Sequence, residues 1–516
     1  MISYVKNILS KRVPPRVIYY VSPGLLSIVT GLFFYHKFNY IEKATSLFRY
    51  RLFLTLIVIT CGYALLLLVG YLFKKKIKIE KVFLILAIPI GLVYMLAVPV
   101  GRAPDEPNHF ARAYGISRGD FISEVDENGD GGSYFGNRVM ESIYWQKDLT
   151  YRQYLDNFRK KPSDSDRDVF NYYTNTSQYP PFAYLPQAIG IFVASLFDLP
   201  ILVIALLGRL SNYVVWVLLV FFSIKVCPFR KRSILFIAFL PMIMQESVSL
   251  SADPLVNGCA LLLVSLVLRY RFGGVKVFKW YDYVTLVVLS LFVSTCKMVY
   301  FPICLVLLMI PSQCFSSKRK KLVFVLLSVI GTFAATCIWL LVAFRFKLRA
   351  DEGVDSMGQI LTIVKNPFYF ISVLSFTVID KSYDYLSNLV CGTLGWFDIP
   401  TCSFCSVSLI ILLFWILIRD NTKRTIEIID KRLLSFSAFT ALLLIFTAEY
   451  LAWTPVADRS ISGVQGRYFV PVLLPIFVVC NSKKKLLGFK KKFHSAFMLE
   501  IMMNFLAVIC VFFAHV

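Results

Sequence analysis

Residues 52–73 read LFLTLIVITCGYALLLLVGYLF, a stretch of 22 residues without a charged side chain. A helix of about 20 apolar residues spans the ~30 Å hydrocarbon layer of a membrane. Similar apolar runs recur along the chain, for example at residues 82–100 and 322–344. The 516 residues are 57% hydrophobic and only 17% charged, a composition that leans away from soluble globular proteins. The sequence therefore predicts an all-α polytopic membrane protein.

Positive charge is concentrated in short segments between the apolar runs. Of the 55 lysines and arginines, 32 lie in seven segments, at residues 6–16, 74–81, 225–232, 269–279, 318–321, 419–432 and 483–492. Short basic loops mark the cytoplasmic face of a membrane protein, so this pattern places the N-terminus in the cytoplasm. The net charge of +24 is then a topology signal, and nucleic acid is not expected as a partner.

The apolar runs predict about thirteen transmembrane helices. They lie near residues 17–36, 52–73, 82–100, 201–224, 233–250, 254–268, 282–295, 298–312, 322–344, 402–418, 433–450, 468–480 and 496–515. The runs at 182–198 and 368–379 are interpreted as partial or re-entrant segments, because full crossings there would move basic segments to the exterior.

This topology divides the chain into three parts. Residues 1–81 form an N-terminal two-helix extension, residues 82–480 a membrane core, and residues 481–516 a basic loop with a further transmembrane helix. The core has a large exterior loop at 101–180 and others at 345–401 and 451–467. Aromatic residues among charges at 134–158, including Tyr144 and Trp145, predict a helix lying at the membrane interface.

The large exterior loop begins with GRAPDEPNHFARAY, residues 101–114. Pro104 ends a membrane helix, and Asp105 is placed to cap a new one. Asp105, His109 and Arg112 would share one face of that helix. Two interpretations remain open: Asp105 is an ordinary N-cap, or it is a catalytic carboxylate at the membrane surface with Glu106 beside it.

Other polar residues fall at predicted exterior helix ends. Lys297 and Arg467 are candidate phosphate contacts, although Lys297 can also snorkel to the interface. Asp253 precedes Pro254 and can cap the next helix, and residues 392–400 predict a turn with an interfacial Trp396. No metal-ligating residues are assigned, but the carboxylates of Asp105, Glu106 and Asp253 leave a divalent ion open.

Three cysteines lie near a predicted exterior loop, at Cys391, Cys402 and Cys405. Their position allows a disulfide. The C-x-x-C spacing has no second pair and no nearby histidines, which disfavours a zinc site.

Residues 103–112, APDEPNHFAR, resemble the P-D-E-x-x-H-x-x-R string of a bacterial membrane-protein family that is named only as a domain of unknown function. Further motifs follow in the order of that family, at Tyr179–Pro186, Gly208–Asn212, Ser247–Asp253, Lys297–Tyr300, Gly392–Pro400 and Gln465–Tyr468. That family is similar to the C-type (GT-C) glycosyltransferases, multi-spanning enzymes that use polyprenyl-phosphate sugars outside the cytoplasmic membrane. The resemblance implies a GT-C-like fold with Asp105 as the acidic residue near the reacting sugar.

The expected function is therefore sugar transfer from a polyprenyl-phosphate donor to a cell-envelope glycan, lipid or protein acceptor, with inversion, at the exterior face of the bacterial cytoplasmic membrane. Asp105 or Glu106 would take the acceptor proton. Lys297 and Arg467 would stabilise the leaving phosphate. The other residues expected to bind substrate are His109, Arg112, Tyr179, Asp253 and Trp396. A polysaccharide polymerase, a flippase or other transporter, and a non-enzymatic assembly partner remain alternatives.

Overall fold

The computed structural model describes residues 15–41, 48–143, 146, 148–274, 277–347, 353–422, 424–481 and 489–516. The helices before residue 200 are α1 (Pro15–Ile41), α2 (Phe48–Lys74), α3 (Ile79–Ala97), α4 (Glu106–Ser117), α5 (Asn137–Glu141), α6 (Tyr151–Asp156), α7 (Thr174–Ser177) and α8 (Leu185–Ser195). Those after it are α9 (Ile201–Val226), α10 (Lys231–Ala238), α11 (Pro241–Ser247), α12 (Asp253–Phe272), α13 (Trp280–Cys296), α14 (Lys318–Ala343), α15 (Ser356–Lys365), α16 (Pro367–Asp380), α17 (Ser382–Val390), α18 (Ser403–Arg419), α19 (Ile428–Ala452), α20 (Val470–Val479) and α21 (Phe489–Ala514). Segments of 3-10 helix lie at Asn157–Arg159, Pro162–Asp164, Pro181–Tyr184, Met298–Met309, Ser312–Cys314 and Gly466–Phe469.

Seven of the described helices are long and apolar enough to cross a membrane. They are α2, α3, α9, α12, α14, α19 and α21, and each coincides with a predicted crossing. The bent pair α15 and α16 would make an eighth. Shorter apolar helices occupy four further predicted crossings, at α13, Met298–Met309, α18 and residues 466–479. The prediction of a polytopic helical membrane protein is confirmed.

Two of the predicted apolar segments are broken. The expected crossing at 233–250 consists of α10 and α11, which meet just before Pro241. Proline lacks an amide hydrogen, so it begins the second helix more readily than it continues the first. The chain bends by 109° between α15 and α16. At the bend, Asn366 caps α16 by accepting the amide hydrogen of Tyr369. This bend agrees with the expectation that residues 368–379 do not form a simple crossing.

The loop at 101–180 contains a small antiparallel sheet. Its strands are β1 (Glu124–Val125), β2 (Gly131–Gly136) and β3 (Asp168–Tyr172), with β2 in the middle. The all-α prediction did not anticipate this sheet, because local charge and aromatic content did not reveal the two-residue β1 or the pairing of β2 with β3, whose partners lie more than 30 residues apart. The interfacial helix expected at 134–158 is wrong for the described part, which holds the end of β2, then α5 and α6; Tyr144 and Trp145 lie outside the described residues.

Helix α12 lies near the centre of the molecule, and α14 lies at its edge. Of the apolar window of α12, 78% is buried, against 22% for α14. The central helices pack through large side chains, such as Trp216 of α9 against Phe83 of α3. Helices α1, α2 and α21 pack on one another, and Phe34 contacts Phe513 at 5.1 Å between ring centroids. We call α1, α2 and α21 the flanking helices.

Candidate functional site

A buried ion pair joins the end of α3 to the start of α4. Arg209 of α9 donates to both carboxylate oxygens of Glu106, at 2.7 and 2.5 Å. Its other hydrogens go to the carbonyls of Val98 and Pro99, at 2.6 and 3.0 Å. A helix leaves its last carbonyls without intrahelical partners, so Arg209 satisfies the end of α3 while it neutralises Glu106.

Glu106 also anchors the serine-rich turn that precedes α12. Its carboxylate accepts the amide hydrogen of Leu250 at 3.1 Å, and it accepts the amides of Gly101 and Ala103 as well. Asn212 and Gln187 donate to the Ser251 carbonyl at 3.0 and 2.9 Å. These bonds occupy the carboxylate, which is fully buried. The expectation that Glu106 shares the catalytic role is therefore not supported, and its contacts give it a positioning role.

Asp105 stands at the N-cap position of α4, yet its side chain does not cap. Its backbone is left-handed, with φ 58° and ψ 11°, and its carboxylate bonds to none of the first amides of α4, all of which lie in the described region. The carboxylate turns instead towards Arg467, at 3.8 Å, and about half of the side chain (48%) is exposed. The capping interpretation thus has the right position for Asp105 but the wrong partner.

Arg467 links three carboxylates. It donates to Glu246 of α11 at 2.8 Å and lies 3.8 Å from both Asp105 and Asp253. The preceding Gly466 allows this approach, because a Cβ there would stand 2.2 Å from the Tyr385 carbonyl oxygen. The guanidinium is almost fully buried.

Lys297 lies at the break between α13 and the 3-10 helix that follows. Its ammonium pairs with Asp253 at 2.5 Å and lies over the rings of Tyr468 and Tyr179, at 4.7 and 5.9 Å from their centroids. Asp253 is the first residue of α12, and its carboxylate serves this pair. The structure therefore brings Lys297, Arg467, Asp253 and Asp105 together, four of the residues that the sequence singled out as site candidates.

A hairpin of β4 (Thr393–Leu394) and β5 (Ile399–Pro400) closes one side of this cluster. Gln245 bonds the backbone of Gly395 in both directions, at 2.8 and 3.0 Å. The ring of Phe397 lies 5.5 Å from the Arg467 guanidinium. Trp396 itself is half-buried and does not line the cavity described next. The expected contact of Trp396 with a substrate stays a prediction, and its neighbour Phe397 is the residue that contacts the cluster.

Beside the cluster lies a cavity of about 310 Å³. Its walls carry Asp105, His109, Tyr179, Lys297, Tyr300, Trp339, Glu449, Trp453 and Tyr468. Apolar residues of α14 and α19 complete them. A concave, aromatic-rich pocket with a few convergent charged groups is the usual form of a small-molecule site.

Glu449 of α19 is the carboxylate that sequence reasoning missed. It faces the cavity, and it forms no side-chain hydrogen bond or ion pair with the residues that the structure describes. It lies within a predicted crossing, where an ionisable residue is itself a functional signal. Glu246 and Arg209 were also missed, because only the fold shows which charges they meet.

Two residues of α4 that were expected to share a face have different surroundings. His109 lines the cavity and hydrogen-bonds the Tyr184 hydroxyl through Nδ1 at 2.7 Å. Burial lowers the pKa of His109 to about 3, so its ring is neutral at physiological pH. Arg112 points away and donates to the carbonyls of Asp120 and Phe121, at 3.1 and 2.8 Å. The expected substrate role of Arg112 is replaced by a structural one.

The electrostatics of the site favour a protonatable Asp105. Partial burial raises the pKa of its carboxyl above the ordinary value, because partial loss of water penalises the charged form. Arg467 opposes this rise in pKa, and Asp253 adds to it. The raised pKa brings Asp105 closer to the range in which a carboxylate exchanges protons at neutral pH.

The described residues contain no group of three or more His, Cys, Asp or Glu side chains arranged to hold a metal ion. Of the three carboxylates that left a divalent ion open, Glu106 is occupied by Arg209, whereas Asp105 and Asp253 both face Arg467.

Comparison with known families gives the chain its relatives. The profile of a family described as "Predicted membrane protein (DUF2142)" matches residues 89–476. The chain belongs to this family. The DUF2142 region begins inside α3 and ends inside α20, so it includes the whole cavity and leaves the flanking helices outside. The membership in a family of unknown function that the P-D-E string indicated is confirmed. No curated protein and no solved structure matches the chain.

Proposed function

We propose that this protein is an inverting glycosyltransferase that moves a sugar from a polyprenyl-phosphate donor to a cell-envelope acceptor. One observation carries the proposal. The uncapped carboxylate of Asp105 faces a cavity together with the ammonium of Lys297. General base and phosphate partner are the two groups that this reaction needs in one place.

Each charged residue then has a role set by its exposure. Asp105 faces the cavity and takes the proton of the acceptor hydroxyl as that oxygen attacks the anomeric carbon. Lys297 also faces the cavity and stabilises the phosphate that leaves from the opposite side of the sugar. Arg467 is almost fully buried behind Asp105, so its role is to hold that carboxylate in place. Direct displacement of this kind inverts the anomeric centre.

The walls of the cavity suit the other parts of such a substrate. Trp339 donates its indole hydrogen to the Gln178 carbonyl at 2.7 Å, which fixes one aromatic wall. The apolar residues of α14 and α19 lie on helices long enough to span the bilayer, where a prenyl chain would remain. Water exclusion by the loop at 101–180 would limit hydrolysis of the donor.

The finer topology belongs to the same proposal. Counting the four shorter apolar helices, α1 and the broken segment at 233–250 as crossings raises the seven long helices to about thirteen crossings, in a GT-C-like arrangement. The N-terminus then lies in the cytoplasm and the cavity on the exterior face of a bacterial cytoplasmic membrane. The basic segments between helices support this orientation.

The test is a transfer assay with the full-length protein purified in detergent. A radiolabelled polyprenyl-phosphate hexose is incubated with delipidated cell-envelope glycan, with and without Mg²⁺, because the sequence leaves a divalent ion open. Release of polyprenyl phosphate with labelling of the acceptor supports a transferase. A flippase instead moves the intact donor from one leaflet of a vesicle membrane to the other without cleaving it. A polymerase requires a second lipid-linked glycan as the acceptor.

A further inference from the structure

Three cysteines meet at the base of the β4–β5 hairpin. The sulfur atoms of Cys402 and Cys405 lie 2.7 Å apart, well inside the usual separation of two unbonded sulfur atoms. Cys391, which ends α17, contacts the Cys405 thiol and lies 3.8 Å from the Ser406 hydroxyl. Neither the family nor the proposed reaction gives these thiols a role.

The two closest thiols differ in how easily they are reached. Cys402 is the N-cap residue of α18, and its side chain is partly exposed, whereas Cys405 lies in the first turn and is fully buried. The positive end of a helix favours a thiolate over a thiol. Cys402 is therefore placed to react first, and Cys405 is placed to complete a bond with it.

We propose that Cys402 and Cys405 form a disulfide in the mature protein. The oxidant is the disulfide of a dithiol oxidoreductase or of a small molecule, written RSSR. The Cys402 thiolate attacks one sulfur of RSSR and releases RS⁻, which leaves a mixed disulfide. Cys405 then attacks the Cys402 sulfur and releases the second RS⁻. In sum, two cysteine thiols and RSSR give one disulfide and two RSH.

The disulfide would stabilise a segment that touches the candidate site. The Thr401 hydroxyl donates to the Cys391 carbonyl at 2.7 Å, which closes the hairpin next to the sulfur atoms. At the other end of the hairpin, Phe397 lies over Arg467, and Asp398 pairs with Arg102 at 2.6 Å. A bond between Cys402 and Cys405 would therefore lie directly after β5, and the turn that precedes β5 carries both contacts.

The inference rests on the proposed function for one point only, the exterior orientation that exposes the hairpin to an oxidising compartment. The chemistry of the thiols is tested without any sugar transfer, so its failure and the failure of the transferase assignment are separate results.

The test is a count of free thiols on the full-length protein. A maleimide is added at lysis under denaturing conditions, so that it traps and labels the free thiols in one step. Ten of the twelve cysteines should label without reductant, because two are bonded, and twelve should label after reduction. Peptide mapping should find Cys402 joined to Cys405. In Cys402→Ser, all eleven remaining thiols should label without reductant.

Cys391→Ser is the matched control, because it removes the neighbouring thiol and leaves the proposed pair. Nine of its eleven thiols should label without reductant. Twelve labelled thiols in the unreduced native protein would overturn the proposal. Release of Cys405 in Cys391→Ser would also overturn it, because that result assigns the bond to Cys391.

Discussion

The backbone of Asp105 has an energetic cost that local structure does not offset. A left-handed conformation is unfavourable for a residue with a Cβ by roughly 1–2 kcal/mol, and the side chain recovers no capping bond. Such strain persists where the surrounding structure imposes it. Here Arg209 fixes Glu106, the next residue in the chain, and this fixed neighbour holds Asp105 facing the cavity.

Asp105→Asn separates catalysis from structure. Asparagine tolerates the left-handed region and keeps the size of the side chain, so thermal stability should change little. Loss of the general base should slow transfer by roughly 10²–10⁴-fold, measured as turnover of the polyprenyl-phosphate sugar. Glu124→Gln, which changes an exposed carboxylate in the same loop, is the matched control and should keep full activity. A folded Asp105→Asn protein with native turnover would contradict the assignment.

The pH dependence of turnover tests the raised pKa of Asp105. A base acts only when deprotonated, so the rate should fall as the pH drops through its pKa. Because burial raises this pKa, the fall should occur above the range of an ordinary aspartate. The neighbouring Glu246, Asp253 and Glu449 titrate in the same network, so the apparent value belongs to the cluster. An acidic limb centred near or below 4 would contradict a raised apparent pKa for this cluster of carboxyl groups.

Substitution by glutamine should lower the thermal stability of the protein at one glutamate and leave it unchanged at another. Glu106→Gln leaves Arg209 buried without a counter-charge, and breaking such a pair costs about 3–5 kcal/mol. Glu449→Gln removes a carboxylate that has no partner among the described residues, so its thermal unfolding midpoint should match that of the native protein. Both midpoints can be measured in the same detergent. Equal stability of the two variants would show that the Glu106 pair does not anchor the site.

At the scale of the element, α13 carries a lysine at each end, and only one faces the cavity. Lys297→Met should weaken use of the lipid donor by about ten- to a hundred-fold, since a charge-assisted contact contributes roughly 1.5–3 kcal/mol. Lys279→Met changes an exposed lysine at the opposite end and should leave the donor KM unchanged. Similar donor kinetics in both variants would remove Lys297 from the phosphate site.

The elements also show where sequence reasoning succeeds. The start of helix α4 directly after Asp105 was predictable, because the proline and the polar residues around it are local signals of a helix start. Lys297 and Arg467 were found because cations at exterior helix ends run against the positive-inside pattern. Arg112 shows the limit of this approach. Helical spacing placed it on the face of His109, but its long side chain extends to the carbonyls of residues 120–121, beyond the end of the helix. Glu246 acquires its role from a partner 221 residues away, which no local pattern contains.

At the scale of the molecule, the seven helices that are long and apolar enough to cross a membrane were predictable because each is one long apolar run. The broken segment at 233–250 was not, since its apolar content resembles a span while Pro241 and the turn at 247–251 divide it. The small sheet was missed because β1 has only two residues, and because β2 and β3 pair residues that lie more than 30 positions apart in the chain.

The orientation of the whole molecule can be tested by labelling. Cysteines introduced at Asn128 and Lys320 should react with an impermeant maleimide from opposite sides of the membrane, scored against the labelling of the native protein. Asn128 should label in intact cells, and Lys320 only after permeabilisation, because its segment is basic and predicted to be cytoplasmic. Labelling of both in intact cells would contradict the topology.

The packing of α21 against α1 and α2 has a consequence for biogenesis. About 415 residues separate the end of α2 from the start of α21, and a ribosome adds about 5–20 residues per second. Helices α1 and α2 are therefore complete for roughly 20–80 s before their partner is synthesised. During that interval their apolar seam, including Phe34, faces lipid or an insertion chaperone. A nascent chain that stalls before α21 displays this seam, which gives membrane quality control a surface by which to recognise an unfinished molecule.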